Sequence, residues 1–453
     1  MPDWIRRTAL EDILGVDFEG LADDALYRNL DRLYPNRAAI ETALVQREGS
    51  LFNLERTVFF YDLTSTYFEG QAKLIGKAKR GYSRDKRPDC KQVVVGLVIG
   101  REGFPLAHEV LAGNVQDRQT LAQMLDLLAE RVGLPAGTTV VVDRGMAYPQ
   151  NLEEIKSRQL HYVIAAHQSE RDRWLDDFED LEGFEEVLRT PSPRNPGQKK
   201  STVRVKRRQR DGETFILCTS SGRVAKDRMI REKQERRFLV DVGKLERRID
   251  RGQLVREIAI GEAIGRLKER YPRVARYHHL GFDAQCRKLV HEPNLERKAR
   301  AERLDGGYLL RTDRDDLDAE EAWLMYITLT RAEAAFRAMK SPLAERPIFH
   351  HLEHRVETHI FLCVLAYHLL VAIETTLLAN GVHTSWATVR ETLQTHQVST
   401  IVLPTDNGAV LRIRKGSTPE PEHRELYRLL NVPAEVMKPK KNWFPPERGS
   451  RSD

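Results

Sequence analysis

The run TVFFYDL at residues 57–63 begins the series of apolar segments that decides the fold of this chain. It is short and rich in aromatic and β-branched residues, and KQVVVGLVIG (91–100) and FPLAHEVLAG (104–113) follow it. Apolar runs of this length, separated by turn residues, predict buried strands. DRQTLAQMLDLLAERVG (117–133) then predicts an amphipathic helix, because its apolar residues recur every three or four positions.

The pattern continues with a strand, a helix and another strand. TTVVVDRG (138–145) and HYVIAA (161–166) predict the strands, and NLEEIKSRQ (151–159) predicts the helix between them. The order is therefore three strands, helix, strand, helix, strand. This is the order of a ribonuclease H-like fold, a meander followed by crossover units on a mixed sheet. We predict an α/β protein of that class.

The remainder of the chain predicts that this core is interrupted. After Ala166 the periodicity degrades into a Pro-rich loop, alternating strands and a long charged helical region. The predicted domains are a helical N-terminal segment (1–50), the first part of the core (51–168), an insertion subdomain with β and helical parts (169–313), the second part of the core (314–380), and a C-terminal segment with a hairpin and a basic tail (381–453).

The overall charge restricts where a polyanion could bind. The chain has 453 residues, with 73 Lys and Arg against 67 Asp and Glu, so its net charge is only +6. Such a small excess favours a polyanionic partner only where basic residues cluster.

No P-loop or Rossmann glycine pattern is present, so we expect no use of ATP or nicotinamide.

Two features of the sequence indicate where in the cell the protein is expected: its cysteines and its most apolar stretch. The four cysteines are widely spaced and form no CxxC pair, which fits a reducing cytoplasm. The apolar stretch at 360–373 is too short to span a bilayer, so we predict a buried core helix and no membrane partner.

Three acids in these segments predict a metal site. Asp62 and Asp143 each end a strongly apolar run, on strands that lie side by side in this fold, so their carboxylates should converge. Glu333 would join them from a later helix. Each acid taken alone is more often a turn, cap or solvated residue. Together they suit hard divalent cations such as Mg²⁺ or Mn²⁺, of which two, about 3.5–4 Å apart, catalyse phosphoryl transfer.

The residues around these acids resemble bacterial insertion-sequence transposases of the DDE class, in the cut-and-paste group with a β-rich insertion before the final acid. The similar segments are YDLTSTYFEG, GNVQDRQT, VVDRGM, DGGYLLRTDRDDL and FRAMKSPLAERPIFHHLEHRVETHIFLC. The resemblance runs from about residue 37 to 379. In that group the third acid lies in a motif of Tyr, Arg, Glu and Lys, and Tyr326, Glu333 and Lys340 occupy three of the four places.

The remaining place of this motif, that of the Arg, is occupied by a different residue. Leu329 stands where the family has Arg, and an apolar side chain cannot pair with a phosphate. Arg331 is out of register, whereas Arg337 lies one helical turn beyond Glu333 and is better placed.

The resemblance implies roles for these residues. Asp62, Asp143 and Glu333 would be the catalytic acids and the ligands of two Mg²⁺ ions, or of Mn²⁺. Tyr326 and Lys340 would contact the DNA backbone. Since each of them is seven positions from Glu333 in the sequence, we expect all three on one face of one helix.

Basic clusters supply further candidate DNA contacts. Arg80, Lys86 and Arg87 lie in KLIGKAKRGYSRDKRPDCK (73–91), between the first two strands. Arg204 and Lys206 alternate on a predicted strand of the insertion, so they would share one face. The alternatives are a solvated loop for the first cluster and a charge-protected edge strand for the second. Arg144, beside Asp143, is a further candidate.

The implied function is that of a transposase, which binds double-stranded DNA as a homodimer, cuts the ends of its own element and joins them to target DNA. We expect it in the cytoplasm, associated with the nucleoid. Two alternatives remain open: a metal-dependent DNA nuclease without strand transfer, and an inactive DNA-binding relic of a transposon. Leu329 and the short stretch before Asp62 slightly favour the relic.

Overall fold

The structure is a computed structural model that describes residues 4–5, 8–18, 20–54, 57–188, 197, 202–435 and 437–445. Most of the predicted loop at 191–200 and the last residues of the basic tail lie outside these ranges. The chain divides into two compact units. The first comprises Met1–Leu134, Pro191–Gln198 and Thr330–Asp453, and the second comprises Pro135–Thr190 and Lys199–Leu329. The domain boundaries proposed from the sequence remain predictions.

The strands and the helices are each numbered in chain order. The strands are β1 (Val58–Tyr67), β2 (Gln92–Ile99), β3 (Pro105–Ala112), β4 (Thr139–Val142), β5 (His161–Ala165), β6 (Glu185–Val187), β7 (Val203–Arg210), β8 (Glu213–Ser220), β9 (His278–Asp283), β10 (Lys288–Pro293), β11 (Gly307–Thr312), β12 (Val398–Pro404), β13 (Val410–Gly416) and β14 (Lys440–Phe444). The helices are α1 (Leu10–Leu14), α2 (Asp23–Leu33), α3 (Arg37–Phe52), α4 (Leu121–Arg131), α5 (Pro149–Ser157), α6 (Leu175–Glu179), α7 (Ser221–Asp250), α8 (Glu257–Arg270), α9 (Pro272–Ala275), α10 (Leu295–Arg303), α11 (Ala319–Ile327), α12 (Thr330–Lys340), α13 (Glu353–Ala379), α14 (Trp386–Leu393) and α15 (Pro421–Leu429).

The order of the core elements confirms the predicted fold class. In the first unit β1 pairs with β2, and β2 with β3, as an antiparallel meander, and α4 follows. In the second unit β4 and β5 are parallel, with Val141 opposite Val163, and α5 is the crossover helix that a parallel pair requires. The order of three strands, helix, strand, helix, strand is that of a ribonuclease H-like mixed α/β fold.

The apolar composition of these strands explains their position. Every residue of β2 and of β4 is buried. A strand can be apolar along its whole length only where both faces of the sheet are covered, whereas a strand with one solvated face alternates. The continuous runs quoted from the sequence therefore form the centre of each unit.

The strands of the insertion extend the sheet of the second unit. β11 pairs antiparallel with β5, and β8, β7 and β6 follow in that order, each antiparallel to its neighbour. Asp211 and Gly212, both with positive φ, form the tight turn of the hairpin that joins β7 to β8. Elsewhere in the second unit, an apolar cluster centred on Phe238, Ile260 and Val274 packs α7, α8 and α9 together.

Among the described residues, one helix is long and apolar enough to cross a membrane by length and composition. This is α13, which is longer than the predicted stretch at 360–373. More than half of its most apolar window is buried inside the protein. It also carries Glu357, which pairs with Lys77 at 2.5 Å, and His368, whose Nδ1 lies 2.8 Å from a Glu48 oxygen. Helix α13 is therefore the core helix that the sequence predicted.

Candidate functional site

Asp62 lies in the middle of β1, so the strand continues beyond the apolar run that Asp62 ends. The strand continues because Leu63, Thr64, Ser65 and Thr66 are buried and keep their register with β2. The Asp62 side chain is half-buried, and its Oδ1 accepts a hydrogen bond from the Leu63 N–H at 2.7 Å. A carboxylate in this position is held by a rigid element.

Helix α12 brings Glu333 to the same cleft as Asp62. Its buried residues recur at positions that form one helix face: Ala332, Ala335, Phe336 and Met339. This face packs α12 against β1, while Glu333 and Arg337 stay exposed. The cleft has a volume of about 390 Å³ and is lined by Asp62, Leu63, Thr64, Arg84, Glu333, Phe336, Arg337, Lys340, Ser341 and Arg346. Two of the three predicted acids therefore line one cleft in the first unit.

One buried carboxylate fixes two of the cations in this cleft. Asp85, whose side chain is only 4% exposed, accepts from Lys340 Nζ at 2.8 Å and also binds the Arg346 guanidinium. Arg84 is held in a similar way, because both oxygens of Asp117 lie 2.7 Å from its Nη2. The cleft thus presents positioned cations beside the acids, an arrangement that suits an anionic, phosphate-bearing substrate.

Glu345 is a further carboxyl of the first unit. It is completely buried and accepts a hydrogen bond from the Thr66 hydroxyl, and burial raises the pKa of this carboxyl to about 7. Lys340 and Arg346 oppose this shift and Asp85 adds to it. A buried carboxyl that is largely neutral below pH 7 adds no full charge to the surroundings of Lys340.

The third predicted acid belongs to the second unit. Asp143 directly follows β4, is exposed, and precedes the 3₁₀ turn Arg144–Met146. The Tyr326 hydroxyl donates a hydrogen bond to Asp143 Oδ1 at 3.2 Å. Burial, together with this carboxylate, raises the pKa of Tyr326 well above its ordinary value. Arg144 is half-buried, and its Nε has no hydrogen-bond partner among the described residues.

The predicted single helix from Tyr326 to Lys340 is wrong. Helix α11 ends at Ile327 and α12 begins at Thr330, so Tyr326 and Glu333 lie on different helices. Three of the four residues at 327–330 are β-branched, namely Ile327, Thr328 and Thr330, and β-branched residues have a lower helix propensity. The Thr328 hydroxyl also donates to the Leu324 carbonyl at 2.8 Å, a local bond that competes with regular helix geometry. Of the predicted site residues in this stretch, Glu333, Arg337 and Lys340 lie on α12, and Tyr326 lies on α11.

The three predicted DNA contacts in the basic loop at 73–91 differ in their surroundings. Arg80 and Lys86 are exposed. Arg87 is engaged by Asp89 and Glu69, at 2.9 and 3.3 Å. The role of these three residues in binding DNA remains a prediction.

Lys206 requires a correction. It is 1% exposed, and its ammonium binds an Asp180 oxygen at 2.7 Å and the Asp180 carbonyl at 2.9 Å. Arg204 is exposed, so the two residues do not form the predicted shared basic face. The alternation of charge on β7 did not reveal this, because the acid that neutralises Lys206 lies 26 positions away. A contact of Lys206 with phosphate is not supported.

Sequence reasoning did not identify Asp85 and Arg346 as members of the site. Asp85 is a lone acid within a basic run, and its spacing carries no signal for a buried role. Arg346 lies six residues beyond Lys340, in the segment that resembles the family, and that proximity was the available signal.

Among the described residues, no group of three or more His, Cys, Asp and Glu side chains is arranged to hold a metal ion. Asp62 and Glu333 nevertheless supply carboxylate oxygens to one cleft, and these are the ligands that hard divalent cations prefer. The donor chemistry of this pair fits such an ion, with further ligands to come from other groups.

Comparisons with known proteins place the chain in a family. Residues 53–369, well over half of the chain, match the family model described as a transposase DDE domain. A solved structure similar to the chain is the cryo-EM structure of a piggyBac transposase synaptic complex with hairpin DNA. The identity is 7% and the TM-score 0.35, and the similarity covers 72% of this chain and 48% of that one, about half its length. No curated protein matches. The chain belongs to the transposase DDE domain family, whose members are nucleic-acid-cleaving enzymes that typically use divalent metal ions.

Proposed function

We propose that this chain is a transposase that cleaves phosphodiester bonds at the ends of a DNA element and joins those ends to target DNA. The observation that carries the proposal is the cleft of the first unit, where Asp62 and Glu333 lie among Arg84, Arg337, Lys340 and Arg346. Acids alone would repel DNA. The four cations around them offset that repulsion and bind phosphate oxygens.

The acids would hold the divalent cations. We assign Asp62, Asp143 and Glu333 as the ligands of two Mg²⁺ ions, with Mn²⁺ as a substitute. When bound, such ions activate the attacking oxygen and stabilise the leaving one. The Tyr326 hydrogen bond fixes the orientation of the Asp143 carboxylate. Because that hydroxyl keeps its proton at neutral pH, it remains a donor to Asp143 or to a phosphate.

The proposed reaction has two successive displacements. Water attacks the phosphodiester at the end of the element, the P–O3′ bond breaks, and a 3′ hydroxyl is released. That hydroxyl then attacks a phosphate of target DNA, or of the opposite strand to give a hairpin, and displaces a second 3′ oxygen. In both steps Lys340 and Arg346, held by Asp85, would stabilise the negative charge on phosphate.

We further propose that the chain acts as a homodimer on double-stranded DNA and pairs two element ends, in the cytoplasm at the nucleoid. Light scattering after size-exclusion chromatography tests this directly. The expected complex contains two chains and two end duplexes. A complex of one chain with one end, at protein concentrations that saturate the DNA, would contradict the dimer.

Two isosteric variants test the catalytic assignment. Asp62→Asn and Glu333→Gln keep the side-chain shape but remove a charged ligand, so each should reduce cleavage of an end duplex by about 10³-fold or more. Binding to the same duplex should be unchanged or tighter, since each loses a charge that repels phosphate. The matched control is Glu130→Gln, an exposed glutamate of the first unit outside the cleft, which should cut normally.

Unimpaired cleavage by both cleft variants would refute the assignment. Joining is scored in the same reactions by adding a labelled target duplex. Wild-type protein that cuts the ends but never joins them would show a nuclease in place of a transposase.

A further inference from the structure

The second unit contains a cavity of about 740 Å³ that has no part in the proposed catalysis. Its wall is formed by the 3₁₀ helix Gln168–Trp174, by α7 and α9, and by α10 and the turn that follows it. Six arginines line it: Arg171, Arg231, Arg273, Arg276, Arg297 and Arg300. We call it the arginine cavity.

Two of these arginines belong to the framework of the cavity. Arg231 forms a bidentate pair with Asp305, with both contacts at 2.6 Å, and the two side chains are only 10% and 9% exposed. Arg171 donates to the carbonyls of Leu304 and Gly307 at 3.1 and 2.6 Å. These bonds fix the base of the cavity, so its shape does not depend on a ligand.

The outer arginines of the cavity have no carboxylate partner among the described residues, although Asp172, Asp227 and Asp305 also line it. Asp305 is taken by Arg231, and Asp227 accepts the Gly306 N–H at 3.0 Å. Among the described residues, no ion pair is formed by the four exposed arginines of the rim, which are Arg273, Arg276, Arg297 and Arg300. Arg276 instead donates to the Tyr277 hydroxyl at 2.7 Å, and Arg300 to the Asp172 carbonyl at 3.2 Å. Six arginines therefore face three aspartates in one concavity, and the four outer guanidinium groups form no ion pair among the described residues.

We propose that the arginine cavity binds a run of two or more phosphate groups. Guanidinium groups match the oxygens of phosphate in pairs, and several of them around one concavity select a multiply charged anion over a single carboxylate. The volume suits a ligand of nucleotide size. The run of phosphates belongs either to a DNA backbone or to a free polyphosphate.

This inference rests only on residues of the second unit and is independent of the cleft chemistry. The full-length protein would be titrated with sodium tripolyphosphate by calorimetry. Arg297→Ala combined with Arg300→Ala removes two exposed guanidinium groups from α10 and should weaken binding by about tenfold or more. The matched control combines Arg236→Ala with Arg237→Ala, two exposed arginines of α7 outside the cavity, and should stay within about twofold of wild type. Absence of tripolyphosphate binding to wild type, or equal weakening in both double variants, would overturn the proposal.

A second measurement on the wild-type protein identifies the source of the phosphates and does not depend on the folding of a variant. Phenylglyoxal labels accessible arginines, and mass spectrometry reads each peptide. Tripolyphosphate should protect Arg297 and Arg300 while Arg236 and Arg237 remain labelled. Protection by a random-sequence duplex as well would assign the site to a DNA backbone. Protection by tripolyphosphate alone would assign it to a free polyphosphate, and protection by neither would refute it.

Discussion

At the scale of single residues, Asp85 shows how an acid can support a phosphate-binding site. A free carboxylate in the cleft would repel DNA, but Asp85 is buried and shared by two cations. Each cation has more than one N–H donor, so the bond to Asp85 orients Lys340 and Arg346 without using all their donors. Because both cations also line the cleft, Asp85 is best described as a positioning residue.

Glu345 gives a prediction about pH. Burial raises the pKa of this carboxyl from an ordinary value of 4.5 to about 7, so the folded protein retains a proton that the unfolded chain has lost. The free energy of unfolding should therefore fall as the pH rises from 4.5 to 7, by about 3 kcal/mol at 1.36 kcal/mol per pKa unit. Glu345→Gln stays neutral and can still accept the Thr66 hydrogen bond. It should match wild type near pH 4 and be more stable near pH 8.

Urea unfolding at the two pH values measures this difference. Glu130→Gln, an exposed glutamate, is the control and should shift stability equally at both pH values. A Glu345→Gln variant whose advantage is the same at pH 4 and pH 8 would show that the buried carboxyl is not protonated.

Lys206 shows what cannot be predicted at this scale. Its neighbours on β7 predicted the strand correctly, but the alternation of buried and exposed residues fails at Lys206, which is buried next to Val205. Lys206 pairs with Asp180, which lies in a segment distant in the sequence, and its ammonium is therefore not available to DNA. Local pattern predicts which face of a strand a residue occupies, but not which other segment covers that face.

At the scale of elements, the sequence predicted the core strands and the helices between them because continuous apolar runs and three- to four-residue periodicity are local signals. It also predicted that Glu333 and Lys340 share a helix. It failed at Thr328 and Leu329, where a turn separates α11 from α12. A spacing of seven residues places side chains on one face only if the helix is continuous, and the β-branched run between Tyr326 and Glu333 broke it.

The turn between α11 and α12 changes how the leucine at position 329 is interpreted. The family motif has Arg in this place, but here the side chain is 6% exposed and occupies a buried position. Leu329→Arg would bury a guanidinium group, so we expect a loss of about 2–4 kcal/mol in the free energy of unfolding and no gain in cleavage. Leu329→Met keeps the volume and the apolar character, and should cost less than about 1.5 kcal/mol.

Thermal or urea unfolding and an end-cleavage assay on both variants decide the matter. An arginine variant that is as stable as wild type and cuts faster would show that Leu329 is a lost phosphate contact. The proposed alternative of an inactive relic would then gain weight for the natural chain.

At the scale of the whole molecule, the charge is almost balanced, with 73 basic against 67 acidic residues. Long-range attraction to DNA is therefore weak, and affinity must come from local clusters such as the cleft cations. Each phosphate contact made by such a cation releases condensed counterions. The dependence of the binding constant on salt therefore counts these contacts over the whole interface.

Two arginines of α12 make this count testable. Arg337 lines the cleft, whereas Arg331 on the same helix donates to the Arg101 carbonyl and does not line it. Arg337→Ala should lower the slope of log K against log salt by about 0.9, the value for one phosphate contact on duplex DNA. Arg331→Ala removes the same charge from the same helix and should leave the slope unchanged. Fluorescence anisotropy of a labelled end duplex in EDTA, which prevents cleavage, gives both slopes. Equal slopes for the two variants would mean that the wall of the cleft does not bind the DNA backbone, because net charge alone would then account for the affinity.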